Sequence, residues 1–297
     1  MGNRNQNRLS NIFLIIITLS LIQNCSRDPV QSFNDYSFEP DWIDVTAGSF
    51  TWGEHDETKM IDYDYKIMTY EVTNQQYVDY LNKVIDEELV TINEGKIEGL
   101  YSDDYITEDT YVYYDLEGDT ADYNVGLIKW NGTNFETQDR YKDHPVVFIT
   151  FYGASAFAEY HNLRLPTEEE WEKACRGNTG WEYSWGDSIN SARANFAHSN
   201  DPFEPGTTPV GFYSGNLYEN FQTINSHSPY GVYDMTGNVH EWTDSHNTFP
   251  LYNRIIRGGS WVFDTVILEL WLRSWFRHNH SPGYKCPYIG FRCISTD

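Results

Sequence analysis

The stretch that most limits the fold runs from Gly177 to the C-terminal Asp297. It is written in Gly, Asn, Pro, Ser and aromatics, and it holds no sustained helical or alternating period. Only brief runs, such as RIIRGGSW (Arg254–Trp261) and YIGFRCI (Tyr288–Ile294), read as strands. A long stretch with so little regular structure needs something other than sheet or helix packing to hold it. Its order has to come from bound cations, disulfides or buried aromatic side chains.

Helical signals are confined to three earlier segments. Thr73 and Gln76 form a capping box ahead of Tyr77, Leu81 and Val84, which recur at helical spacing. The run Thr150 to Asn162 places Ala154, Phe157, Ala158 and His161 on one face. Thr167 and Glu170 repeat the capping box, Trp171 and Cys175 turn inward, and Gly177 stops the helix. Between the first two lies an insertion, about 86–143, crowded with Asp, Glu and Tyr. Its short alternating bursts (TYVYYDL, GLIKW) around Asn131-Gly132 predict hairpins. Three helices with scattered short strands make an irregular α+β domain.

Arg4 and Arg8 precede an apolar run, Ile12 to Ile22, which is too short to span a bilayer and suits the core of a signal peptide. Cys25 follows directly, the pattern of a bacterial lipoprotein cut before that cysteine and acylated on it. A secreted protein cut nearby, or an uncleaved N-terminal anchor, would read the same way, and all three export the chain. The expected layout is a signal peptide over 1–24, a polar tether over 25–41 and one domain over 42–297. With 20 Lys+Arg against 44 Asp+Glu, a formal charge of −24 repels nucleic acid and anionic lipid, which excludes nucleic acid as a partner. Ten Trp and 23 Tyr in so polar a chain predict an aromatic surface as well as an aromatic core.

Five pieces occur in one order: WIDVTAGSFTWG, EVTNQQYVDYLN, RLPTEEEWEKACRG, YGVYDMTGNVHEWT, and RGGSW followed by GFRC. The set resembles the formylglycine-generating enzyme (sulfatase-modifying factor) domain and covers roughly Trp42 to Ser295. That resemblance implies an irregular α+β fold similar to the C-type lectin fold. The namesake enzymes oxidise a sulfatase cysteine to formylglycine with copper(I) and oxygen. They hold the metal on two cysteines, five residues apart, beyond the Gly-Gly-Ser turn. Counting forward from Trp261, those places fall on Phe263 and Leu268. Counting back from Arg273 and Arg277, they fall on Asp264 and Glu269, a difference of one inserted residue. None is a thiolate, the soft ligand that Cu(I) selects, so no copper and no oxidase chemistry are expected.

The resemblance also implies a disulfide between Cys175 and Cys293, with Cys286 left free or joined to another chain. Two buried free thiols are the alternative. It further implies structural calcium in two places. One would use Thr236, Gly237, Val239 and Glu241; the other Asn195, Phe196 and Asp201. Calcium takes several oxygens, carbonyls included. The plainer possibility is that Glu241 and Asn195 only bond loop backbone.

The function expected is a non-catalytic binding or scaffold lipoprotein of the bacterial cell envelope, with a protein or peptide ligand there and the membrane reached through its lipid anchor. Trp261, Trp271, Arg273, Trp275 and Arg277 are the candidate contacts, because aromatics with arginines make binding hot spots. His278 and His280 are expected in an exposed loop. The alternatives are a formylglycine-generating oxidase and a surface display protein diversified by a retroelement. An enzyme of another kind lacks support, with no His-x-x-x-His, phosphate loop or serine nucleophile motif.

Overall fold

Thr73, Thr150 and Thr167 each start a helix. In α1 (Asn74–Asp86) both halves of the capping box form: Gln76 N donates to Thr73 Oγ1 at 3.3 Å and Thr73 N to Gln76 Oε1 at 2.9 Å. Helix α2 (Phe151–Tyr160) is capped by Thr150, whose Oγ1 accepts from Gly153 N at 3.1 Å. It is buried on most of its surface, and at Gly153 a Cβ would lie 2.3 Å from the carbonyl oxygen of Tyr113. Helix α3 (Glu168–Arg176) carries the second capping box and ends at Gly177, whose φ of 53° lies in the left-handed region.

The computed structural model describes residues 38–102, 109–118, 123, 125–247, 252–263 and 269–296, which fall in one unit, Ser37–Asp297. The leader, Cys25, the tether before residue 38, and Asp264 and Leu268 lie outside the described residues.

Strands are short and dispersed. Trp42–Val45 pairs antiparallel with Tyr65–Met68, which also pairs with Ile294–Ser295, so the two ends of the domain share a sheet. Gly48–Trp52 and Glu57–Ile61 form a hairpin. In the insertion, Val90–Asn93, Lys96–Tyr101 and Asp109–Asp115 make a three-stranded antiparallel sheet. Lys129–Trp130 and Phe135–Glu136 pair across the Asn131-Gly132 turn, as the sequence predicts. The late region contributes a four-stranded sheet, ordered His278–His280, Arg254–Arg257, His240–His246, Ile289–Gly290, with its last pair parallel.

Apolar packing falls into three clusters. One joins α1, α2, Trp242 and Phe291; a second surrounds Trp171, Cys175 and Met235; a small third holds Tyr183, Phe196, Phe263 and Leu272. The cysteine pairing implied by the resemblance is not formed. Cys175 and Cys293 are fully buried free thiols in different clusters. The Cys175 thiol faces Met235 O at 3.9 Å, while the Cys293 amide meets Met68 Sδ at 3.4 Å. Burial pushes both thiols far up. Cys286 is likewise free and buried.

Candidate functional site

Much of what orders the late region is charge, placed where the sequence pattern gives no signal for it. Arg257, the first residue of the Gly-Gly-Ser turn, is fully buried. It bonds Glu172 Oε2 at 2.5 Å and Ser274 O at 2.9 Å, with its guanidinium 5.2 Å from the Trp171 ring. Arg277 reaches Glu168 through two bonds of 2.5 Å, and Arg176 bonds Asp56 and Glu172. Helix α3 thus uses two acids, one turn apart, to hold arginines from distant chain segments. Charge-assisted, two-point contacts of this kind fix geometry as well as charge.

The turn itself needs its glycines. Gly258 and Gly259 have φ of 92° and 73°, and a Cβ on Gly259 would lie 2.7 Å from Trp271 O. Ser260 does not make the local hydrogen bond its type suggests; its hydroxyl is buried without a partner. Phe263, at one of the two places where the family's first thiolate would fall, is 8% exposed and packs on Trp271 with ring centroids 4.7 Å apart. Glu269 accepts from the Tyr183 hydroxyl. A phenyl ring and a carboxylate do not fit Cu(I), and no step through copper follows from this donor set.

The candidate contacts separate into different environments. Trp261 is buried, its indole N–H donating to Pro287 O at 3.0 Å. Trp271 is half-buried between Phe263 and His278. Arg273 is bound to Glu182 at 2.5 Å and lies 3.5 Å from Glu269, and Trp275 donates to the same Glu182 at 2.9 Å. His278 and His280 are not in an exposed loop. They form a half-buried strand paired with Arg254–Arg257, and ring contacts cover them, His278 tilted against Trp271 at 4.6 Å and His280 stacked on Tyr284 at 4.0 Å.

Trp275 and Arg277 come together with a residue that sequence reasoning missed. With Trp52, Gly53 and Glu54 they line an open cleft of about 270 Å³. Trp52 ends the strand Gly48–Trp52, and the Lys59 ammonium sits 3.7 Å above its ring. Gly53 is tied to α3, its N–H donating to Glu172 Oε1 and its carbonyl accepting from Arg176. Both walls are therefore fastened to one helix before anything binds. The WG of TWG was a visible signal, but nothing in the sequence places it opposite Trp275.

The two expected calcium places differ in their chemistry. Glu241 is fully buried and spends both oxygens internally: Arg292 bonds them at 2.7 and 2.8 Å, and the Trp171 indole N–H at 2.8 Å. Its charge is matched, which does not suit a cation ligand. Thr236, Gly237 and Val239 lie in the same buried turn, where Gly237 N donates to Gly258 O. Glu71 and Asp234, both unforeseen, also face Arg292; burial pushes Glu71 up and Asp234 to about 6. In the second loop the acid faces hydroxyl and amide donors and no arginine. Asn195 is held by Gly206 O and Asn238, Phe196 O closes the loop on Ser199 N, and burial raises the Asp201 carboxyl. Both Asp201 oxygens accept within the loop, from Ser199 Oγ at 2.7 Å and Phe203 N at 2.8 Å, so the oxygens of this loop are of the type calcium takes but are spent on its own hydrogen bonds.

Residues 30–297 match the model of the sulfatase-modifying factor enzyme 1-like domain. The chain is 37% identical over 171 residues to "Serine/threonine-protein kinase pkn1" of Chlamydia caviae, covering 52% of this chain and 24% of that protein. It is 34% identical over 160 residues to "Inactive C-alpha-formylglycine-generating enzyme 2" of Bos taurus, covering 52% and 50%. Among solved structures, PvdO from Pseudomonas aeruginosa has the same fold, with a TM-score of 0.57, 18% identity, and coverage of 86% and 94%. The chain spans a quarter to half the length of these two curated relatives.

Proposed function

Because the chain belongs to the sulfatase-modifying factor family, we propose that it is an envelope-anchored member that binds and does not oxidise. The observation that carries this reading is Phe263: it sits at a place where the family needs its first thiolate, packed against Trp271. The relative named as an inactive formylglycine-generating enzyme offers a precedent for the domain without the chemistry. The cleft between Trp52 and Trp275 is the surface that would take the ligand. Its indoles supply apolar area at low entropic cost, and its fixed walls limit the ordering that binding requires. Since Glu168 already matches Arg277, the ligand is an apolar or aromatic side chain of an envelope protein or peptide, not a free anion. Calcium held by Asn195, Phe196 and Asp201 would order the neighbouring loop. Acylation at Cys25 would place the domain at the bacterial envelope membrane.

Three measurements test this. Incubation of the copper-supplied protein with a Cys-x-Pro-x-Arg peptide should leave the peptide mass unchanged; oxidation above background would overturn the reading and restore the oxidase. Trp275→Ala should abolish recovery of an envelope partner while leaving the melting temperature in place. Cys25→Ser should release the chain from membranes, and unchanged detergent partitioning would refute lipidation.

A further inference from the structure

The insertion builds a second hollow, separate from the tryptophan cleft. Its three-stranded sheet stands against α1 and α2 and leaves an open hollow of about 450 Å³, within the size range of small-molecule sites. The lining joins apolar side chains to acids. Leu89 and Leu100 are 53% and 60% exposed, large hydrophobic groups left facing water. The rings of Tyr80 and Tyr113 form part of the wall, and Tyr113 is locked by its hydroxyl on Leu100 O at 2.5 Å. Gly99 keeps this wall possible, since a Cβ there would lie 2.6 Å from the Tyr113 ring.

Three carboxylates, Glu88, Glu98 and Glu159, border the same space, and none of its lining residues is Lys, Arg or His. Glu88 has a φ of 60°, an unfavourable conformation for a residue with a Cβ. The carboxylates of Glu88 and Glu159 make no hydrogen bond or ion pair among the described residues, their bonds being backbone ones to Ile85 O and from Asn162 N, and the Glu98 carboxylate accepts only from Asn93, at 3.3 Å. Burial, reinforced by Asp244, raises the Glu159 carboxyl, a cost that a cation in the hollow would offset. An apolar floor under unpaired acids, in a chain of formal charge −24, selects a positive head on a hydrocarbon body.

We propose that this hollow binds a primary ammonium carried on an apolar stem, from a lysine side chain of a peptide or from a free alkylamine. The test uses immobilised full chain and two probes, hexylamine and an end-blocked Leu-Lys-Leu peptide, with hexanoate as the charge-reversed control. At least one amine should bind saturably and hexanoate should not. Binding of the peptide alone assigns the source to a protein; binding of hexylamine alone assigns it to a small amine. The Glu98→Gln/Glu159→Gln variant should weaken binding about tenfold, equivalent to about 1.4 kcal/mol. Leu100→Ser should weaken it too, while Trp275→Ala leaves it unchanged, which separates this site from the proposed protein-binding cleft. Absence of saturable amine binding, equal binding of hexanoate, or full affinity in the double variant would overturn the proposal.

Discussion

Acidification should unfold this domain by charging histidines that it buries neutral, and His144 is the best place to measure it. The side chain is fully buried, with its ring between Tyr141 and Phe203 at centroid distances of 5.1 and 5.2 Å. Nδ1 meets Thr207 Oγ1 at 2.9 Å and Nε2 has no partner, so the contact with Thr207 offsets only part of what burial costs a charged ring. Burial lowers the pKa from 6.5 to about 4. In that window the unfolded chain binds the proton and the folded chain does not, so stability falls as pH falls. Going from about pH 7.5 to about pH 5, the linkage relation gives a loss of about 2 kcal/mol from this residue alone. His144→Phe keeps the packing ring and loses one hydrogen bond, a cost of about 1 kcal/mol at neutral pH. It should also lose that share of acid sensitivity, so the variant becomes the more stable protein near pH 5. Urea unfolding followed by tryptophan fluorescence at both pH values provides the comparison. An equal acid loss in wild type and variant would refute the assignment.

Arg292→Met should destabilise the domain by about 3–5 kcal/mol, because Glu241, Glu71 and Asp234 would lose the cation they share; a change under about 1 kcal/mol in denaturant would contradict that. In the native domain, Cys175, Cys286 and Cys293 should be inert to Ellman's reagent, and all three should react on unfolding without reductant. Recovery of one thiol in place of three would show that the outer pair is oxidised. Calcium should raise the melting temperature, by about 2.7 kcal/mol of stability at a hundredfold excess over Kd. Asp201→Asn should remove that response, and a melting curve indifferent to calcium and chelator alike would sink the Asn195–Asp201 site.

The helices were legible because their instructions are local. Thr73 with Gln76, and Thr167 with Glu170, carry the cap and its reciprocal partner within four residues, and both boxes form. The hairpin at Asn131-Gly132 was legible for the same reason. The Val90–Tyr101 hairpin was harder to see, since it turns through Glu94-Gly95, a pair that the usual turn chemistry does not favour. The ion pairs were not legible at all. Arg257 and Glu172 lie 85 positions apart, and Arg277 and Glu168 lie 109 apart, so no window along the chain contains both partners. The candidate surface failed in part for a related reason. Trp261, Arg273 and Arg277 have the composition of a hot spot, but the first fills a core and the other two face acids from α3 or the loop at Glu182.

The two arginines held by α3 act like the fixed ends of a strung wire. Arg257 is clamped to Glu172 and Arg277 to Glu168, so the chain between them leaves and returns at set points on one helix. Between them the chain is pinned again, by Trp261 on Pro287 O and by Arg273 and Trp275 on Glu182. Lengthening that span of about twenty residues by about four would add only about 0.2 kcal/mol of closure entropy. A domain built this way takes both ends of its late segment from one helix, whose own cap is set locally by Thr167 and Glu170.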